Sequence, residues 1–291
     1  MKTYLDCIPC FLRQALDAAR AVTCDEAVHR QVLDSVASLV SRLPLEVTPS
    51  EIARQVYAVI AEITGSNDPY YKEKLQANQQ ALSLYPRLGE VVAKSDDPLL
   101  TACKLAIAGN SIDLGPDSKY AAVDSITGLA LKSPLAINDY PQFRESINRS
   151  QNILYLGDNA GEVVFDRVLI DELRQAGDFT ISFVVRGKPI INDATLADAE
   201  YVGLDRVADV ISSGSSAPAL ILSQCSPEVR ELYHSADTII SKGQGNYESL
   251  SEERENIFFF LRVKCPVVAR LLGAVVGDAV LKKQDDVSQS G

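Results

Sequence analysis

The spacing of apolar positions changes partway along the chain. From residue 11 to about 108 they recur every three or four residues, as in "SEIARQVYAVIAEITG", where Ile52, Val56, Ile60 and Ile63 line one stripe of a helix. Thr48 or Ser50 is placed to cap that helix and Gly65 to stop it. The same period predicts helices over 10–22, 25–42, 70–83, 87–94 and 98–108. In the second half the apolar runs become short and rich in β-branched and aromatic residues, at 152–157, 179–185, 207–211, 237–241 and 257–262. After the first of them Phe165, Leu169 and Leu173, with Val164 and Val168 beside them, form a helical face that Gly177 closes. Strands alternating with helices predict a parallel, doubly wound sheet. The expected organisation is an all-helical domain over 1–108 and an α/β domain over 109–291.

Composition narrows the function. A chain of 291 residues that is 46% hydrophobic has ample material for a core. Its formal charge of -11 argues against a nucleic acid as partner, because such binding is led by clustered Lys and Arg, while small anions stay open wherever cations and amides converge. No run approaches a membrane span, and "MKTYLDCIPCFLRQ" has no long apolar stretch after its basic residue, so the expected location is the cytoplasm. Six cysteines are too sparse for a disulfide framework, and reduced thiols are expected.

Open parallel sheets bind ligands outside the carboxyl ends of their strands. Asp158 and Asn159 fall at such an end, in "YLGDNAGE", and their oxygens suit Mg²⁺ or Mn²⁺, although either residue could simply cap the following helix. "VVRGKPIINDAT" brings Arg186, Lys188, Asn192 and Asp193 to the same edge, as phosphate partners and a second carboxylate or as a solvated loop with an N-cap. "ISSGSSAPA" and "IISKGQGNYE" add Gly- and Ser-rich loops with Lys242, which could form an anion-binding concavity or ordinary turns. "AGNSIDLG", with Asn110 and Asp113, marks the junction of the two parts. In "GSNDPYYKEK" Asp68 could cap a helix that starts at Pro69. Cys7 and Cys10 form a C-x-x-C at the start of the first helix, open to packing, redox or metal roles, since no second pair completes a structural zinc site. No G-x-G-x-x-G after a strand, Walker A loop or G-x-S-x-G elbow is present.

Together "GDNAGE", "RGKPIINDAT", "SKGQGNYE", "GNSIDLG", "DPYYKEK" and "CIPC" resemble the damage-control phosphatase family, first catalogued as domain of unknown function 89, and its smaller microbial branch with an N-terminal cysteine pair. The resemblance implies a Rossmann-like three-layer α/β/α sheet of mostly parallel strands beside the helical domain. It implies a divalent metal, Mg²⁺, Mn²⁺, Co²⁺ or Ni²⁺, held by Asp158, Asn159 and Asp193. Asn110 and Asp113 match the family's pocket loop, and Arg186, Lys188 and Lys242 match positions that face phosphate. Glu162, Asn246, Asp68, Tyr70 and Lys74 are further candidates for substrate contact, and Cys7 and Cys10 for redox or regulatory roles.

Family members hydrolyse phosphate monoesters such as sugar phosphates, phosphopantetheine-like metabolites and their damaged forms. The expected partner is therefore a small phosphorylated metabolite. Asp158 is followed by Asn159 and Ala160, so the Asp-x-Asp of aspartyl-phosphate enzymes is missing, which favours attack by metal-activated water over an acyl-phosphate at Asp158. An adenosylmethionine-dependent carboxyl methyltransferase and a non-catalytic phosphometabolite sensor are the alternatives.

Overall fold

The computed structural model describes residues 1–109, 128, 131 and 134–285. Five helices come first: α1 (Cys7–Val22), α2 (Glu26–Val40), α3 (Pro49–Thr64), α4 (Tyr71–Ala93) and α5 (Pro98–Gly109). Thr48 caps α3 in a reciprocal capping box with Glu51, and Gly65 ends it in the left-handed conformation, as the sequence predicts. Two details differ from expectation. The segments 70–83 and 87–94 are one helix that runs through Pro86, because Ala81, Leu88 and Val92 keep a continuous apolar face against the core. Asp68 does not cap α4: the N-cap is Tyr70, and the Asp68 carboxylate pairs with Lys74 instead.

The remaining elements are β1 (Leu135–Asn138), α6 (Tyr140–Ile147), β2 (Asn152–Leu156), α7 (Glu162–Ala176), β3 (Thr180–Val185), α8 (Leu196–Tyr201), β4 (Asp209–Ser212), α9 (Pro227–Ser235), β5 (Thr238–Lys242), α10 (Gly243–Leu250), β6 (Ile257–Arg262), α11 (Pro266–Leu272) and β7 (Ala279–Lys283). Among the described residues the strands form one sheet in the order β1-β7-β6-β5-β2-β3-β4. Every neighbouring pair is parallel except β6 and β7. The sequence pattern did not predict β1 or β7, both at one side of the sheet.

Alternate residues of the central strands feed two cores, which is the period of a sheet covered on both faces. Tyr155, Phe183, Phe258 and Phe260 point to the face carrying α5, α6 and α7, and Leu154, Leu156, Phe259 and Leu261 to the face carrying α9, α10 and α11. Phe143 of α6 packs edge-on against Phe258 and Phe260, and Tyr155 stacks on Phe183. Helices α1–α3 close a separate core around Phe11, Val36, Ile52 and Ile60, while α4 and α5 join the sheet's core. Among the described residues no helix is long and apolar enough to cross a membrane.

Candidate active site

The strand order makes β2 the turning point of the topology. The chain leaves β2 for β3 and β4, then returns to lay β5 on the other side, so the carboxyl ends of β2 and β5 flank the switch point where such sheets bind ligands. Asp158 lies two residues beyond β2, and β5 ends at Lys242.

Backbone pairing adds the loop after β3. Asn159 and Asp193 form an antiparallel bridge, the Ala194 N–H donates to the Asp158 carbonyl at 2.8 Å, and the Ala160 N–H donates to the Asn192 carbonyl at 2.9 Å. This short ladder places Asp158, Asn159 and Asp193 on the wall of one cavity of about 270 Å³. None of the three is a helix cap, since the N-cap of α7 is Gly161 and that of α8 is Thr195, boxed with Asp198. The capping alternatives therefore fall away.

The electrostatics of this wall follow from burial. Burial together with the Glu162 and Asp193 carboxylates pushes the Asp158 carboxyl up to about 7. Burial also raises Asp193, opposed by Arg186, whose Nε donates to Asp193 Oδ2 at 2.6 Å. The Asn159 amide NH₂ donates to Asp158 Oδ2 at 2.8 Å and to Glu162 Oε2 at 3.0 Å. Two carboxylates and an amide oxygen are hard donors of the kind Mg²⁺ and Mn²⁺ take, and a divalent charge is what a group of crowded, buried carboxylates accommodates. Among the described residues no cluster of three His, Cys, Asp or Glu side chains is arranged to hold a metal, so the amide oxygen would have to complete the set.

The cations divide sharply. Lys242 is fully buried, and its Nζ donates to the Ala106 carbonyl at 2.9 Å, to Glu162 Oε1 at 2.7 Å and to Asp166. Burial lowers its pKa, but the Asp166 and Glu162 carboxylates outweigh that and hold it above the ordinary lysine value. Its three protons are thus spent inside the protein, where the expectation had it facing phosphate. Arg186 is 1% exposed and binds Asp193 and, at 3.3 Å, Asn246 Oδ1. Lys188 is exposed on a different cavity, beside Arg54 and Tyr57.

Other expected contacts prove to be braces. Asn246 is buried, and its amide binds the Gly157 and Lys242 carbonyls and the Leu220 N–H, tying three loops beneath the site. Lys74 pairs with Asp68, while Tyr70 packs against the core of α1–α3. Asn110 and Asp113 lie outside the described residues.

The cavity is also lined by Lys264, Cys265, Gln244 and Glu248, which lie outside the sequence-predicted set, together with the candidates Cys7 and Cys10. Lys264 and Cys265, just past β6, face Gln244 and Glu248 of α10, and the first turn of α1 brings Cys7 and Cys10 to the same space. Lys264 is exposed, and its charge lowers the pKa of Asp158, Asp193 and Glu248. The strand-end rule that selected Asp158 would have found it, applied to the predicted strand 257–262.

A doubly wound sheet with hard-oxygen donors at its switch point and a helical layer over them defines an α/β protein with a strand-end polar site. A family model described as the damage-control phosphatase ARMT1-like domain matches residues 3–280. The chain is 35% identical over 282 residues to the damage-control phosphatase of Archaeoglobus fulgidus, covering 95% of this chain and 97% of that protein. It is 33% identical over 282 residues to damage-control phosphatase PH1575 of Pyrococcus horikoshii, covering 96% and 97%. The crystal structure of that DUF89 family protein superposes with a TM-score of 0.91 at 32% identity, covering 98% of this chain and 100% of the other. The chain belongs to the damage-control phosphatase family.

Proposed function

We propose that this chain is a divalent-metal-dependent phosphatase that hydrolyses small phosphate monoesters such as sugar phosphates, phosphopantetheine-like compounds or damaged phosphometabolites. The observation that carries the reading is the pairing of Asn159 with Asp193, which puts two carboxylates and an amide together in a cavity that Lys264 also lines. Relatives named damage-control phosphatases along nearly the whole length support it.

Asp158, Asn159 and Asp193 would hold Mg²⁺, Mn²⁺, Co²⁺ or Ni²⁺. When bound, the ion supplies positive charge to a phosphoryl oxygen and acidifies water. Arg186 orients Asp193 and favours its ionised form through the 2.6 Å bond. Lys264 supplies a mobile cation for the remaining charge of the phosphate, where positioning and electrostatics supply most of the catalysis. A cavity of about 270 Å³ suits a small metabolite. Water is the nucleophile in this reading, because Asp158 is flanked by the Asn159 amide and lacks a second carboxylate two residues on.

The test is phosphate release from a panel of sugar phosphates and phosphopantetheine by metal-free protein, supplemented with each of the four ions, beside Asp158→Ala. Metal-dependent release lost in the variant supports the reading. Folded protein that releases no phosphate with any ion refutes it, and a trapped phosphoryl group on Asp158 refutes the choice of water.

A further inference from the structure

The two loops that carry the donor set are joined a second time, from behind, by a side chain of the helical layer. Helix α4 presents Lys74 and Asn78 one turn apart toward α7 and α8, and they are 3% and 1% exposed. Asn78 Oδ1 accepts the Gly161 N–H at 2.7 Å, and its Nδ2 donates to Asp198 Oδ1 at 2.9 Å. Gly161 follows Asn159 by two residues and turns the chain into α7 with φ 77. Asp198 uses its other oxygen to accept the Thr195 N–H at 2.9 Å and the Thr195 hydroxyl at 2.7 Å, and Thr195 follows Asp193 by two residues. Lys74 completes the group, 2.9 Å from Asp68 and 3.6 Å from Asp198.

Both ends of the Asn78 amide are therefore spent beside the site, one directly on the Asp158 loop at Gly161 and the other on Asp198 of α8, which in turn holds Thr195 of the Asp193 loop. Asn78, Asp198 and Lys74 do not line the cavity, so they act through the loops and not on a ligand within it. We propose that Asn78, backed by Asp198 and Lys74, is a positioning residue that fixes Asp158 and Asn159 relative to Asp193 and so sets the affinity of that donor set for a divalent ion. This rests on the metal-dependent reading above. It gives the "DPYYKEK" segment a role in organising the site through Lys74 and Asp68, in place of substrate contact.

The experiment titrates the full-length, metal-free protein with Mn²⁺, following free ion by electron paramagnetic resonance, in wild type, Asn78→Ala and Asp198→Asn. Thermal unfolding of each metal-free protein is measured in parallel. Loss of an outer partner of a metal ligand typically weakens binding roughly 10- to 100-fold. That loss is expected in Asn78→Ala at a temperature where the protein stays folded. A merely structural Asn78 would lower the unfolding temperature and leave the Mn²⁺ affinity of the folded protein unchanged, which overturns the proposal. Should Asn78→Ala not fold, Asn78→Asp replaces it, since it keeps the size and the acceptor for Gly161 but repels Asp198. The same two outcomes apply. Wild type that takes up no Mn²⁺ overturns the metal reading itself, whereas uptake that is equal in wild type and variants overturns only the role of Asn78.

Discussion

Asp158 and Gly243 meet across the switch point between β2 and β5 so closely that a Cβ built on Gly243 would lie 2.0 Å from Asp158 Oδ2. Gly243 also takes φ +82, a conformation in which a side chain is strained. The first residue of α10 must therefore be glycine for the Asp158 carboxylate to occupy its place.

Gly243→Ala is expected to fold with a lowered melting temperature, reflecting about 1–3 kcal/mol of backbone strain. Because the methyl group displaces the carboxylate itself, metal-dependent phosphate release should fall by more than the folded fraction does, by at least the roughly tenfold that loss of a mere outer partner of a ligand costs. Parallel melting curves and initial rates check this. An alanine variant with wild-type turnover would mean that Asp158 is not needed where it lies.

The two lysines of the site region should separate under mutation. Lys242→Met removes the cation that faces Glu162 and Asp166 in the core, and breaking such a buried pair costs about 3–5 kcal/mol, so most of the effect belongs in the melting temperature. Lys264→Gln changes an exposed side chain and should move stability by no more than about 0.5 kcal/mol. Its effect belongs in KM for a phosphate ester, which should rise several-fold. The reverse pattern, stable Lys242→Met with raised KM and inert Lys264→Gln, would restore Lys242 as the phosphate contact.

That contrast shows what the sequence could and could not carry. The convergence of Asp158, Asn159 and Asp193 was legible because they follow apolar runs whose strand identity is plain, and strand ends in such sheets converge. The five central and one-sided strands were legible for the same reason, whereas β1 has only four residues and β7 ends in two lysines that mask its alternation. Lys242 was misassigned because chain position alone does not give side-chain direction. Alternation does give it: Lys242 shares a face with Ile240, and that face is the core under α5 and α7. Asp166, set among Val164, Phe165 and Leu169 on the buried side of α7, was the matching signal for its partner. Asn78 carried no signal, since its partners are 83 and 120 residues away in sequence.

Glu248 supplies a pH prediction on the cavity wall. Burial pushes its carboxyl up to about 7, against the Gln244 amide, the Met1 ammonium and Lys264, which lower it. A carboxyl raised on folding favours the protonated form. Its stabilising contribution is present below the unfolded value near 4.5 and declines as pH rises toward 7. Glu248→Gln keeps an acceptor for Gln244 and removes the titration, so the metal-free variant should gain stability over wild type as pH climbs through that window, by about 3 kcal/mol at most, at ~1.4 kcal/mol per pKa unit. Denaturant titrations at pH 4.5 and 7.5 measure the difference. A constant offset between the two proteins would show that Glu248 titrates alike in both states.

The thiols test whether the first turn of α1 is truly a wall of the site. Cys10 and Cys24 are both exposed, but only Cys10 lines the cavity, and α1 separates them by roughly 20 Å at 1.5 Å per residue. A bulky maleimide should modify these two before the buried Cys103 and Cys225, which wait for unfolding. Burial pushes the Cys10 thiol up, opposed by the Gln14 amide, so its labelling should accelerate as pH rises past the ordinary thiol range. Loss of phosphate release should follow modification of Cys10 and not of Cys24, Cys10→Ser should resist the reagent at that position, and inorganic phosphate should protect Cys10 and not Cys24. Peptide mass mapping against residual activity decides it. Full activity with Cys10 quantitatively modified would mean that substrate reaches Asp158 by a path that does not pass α1.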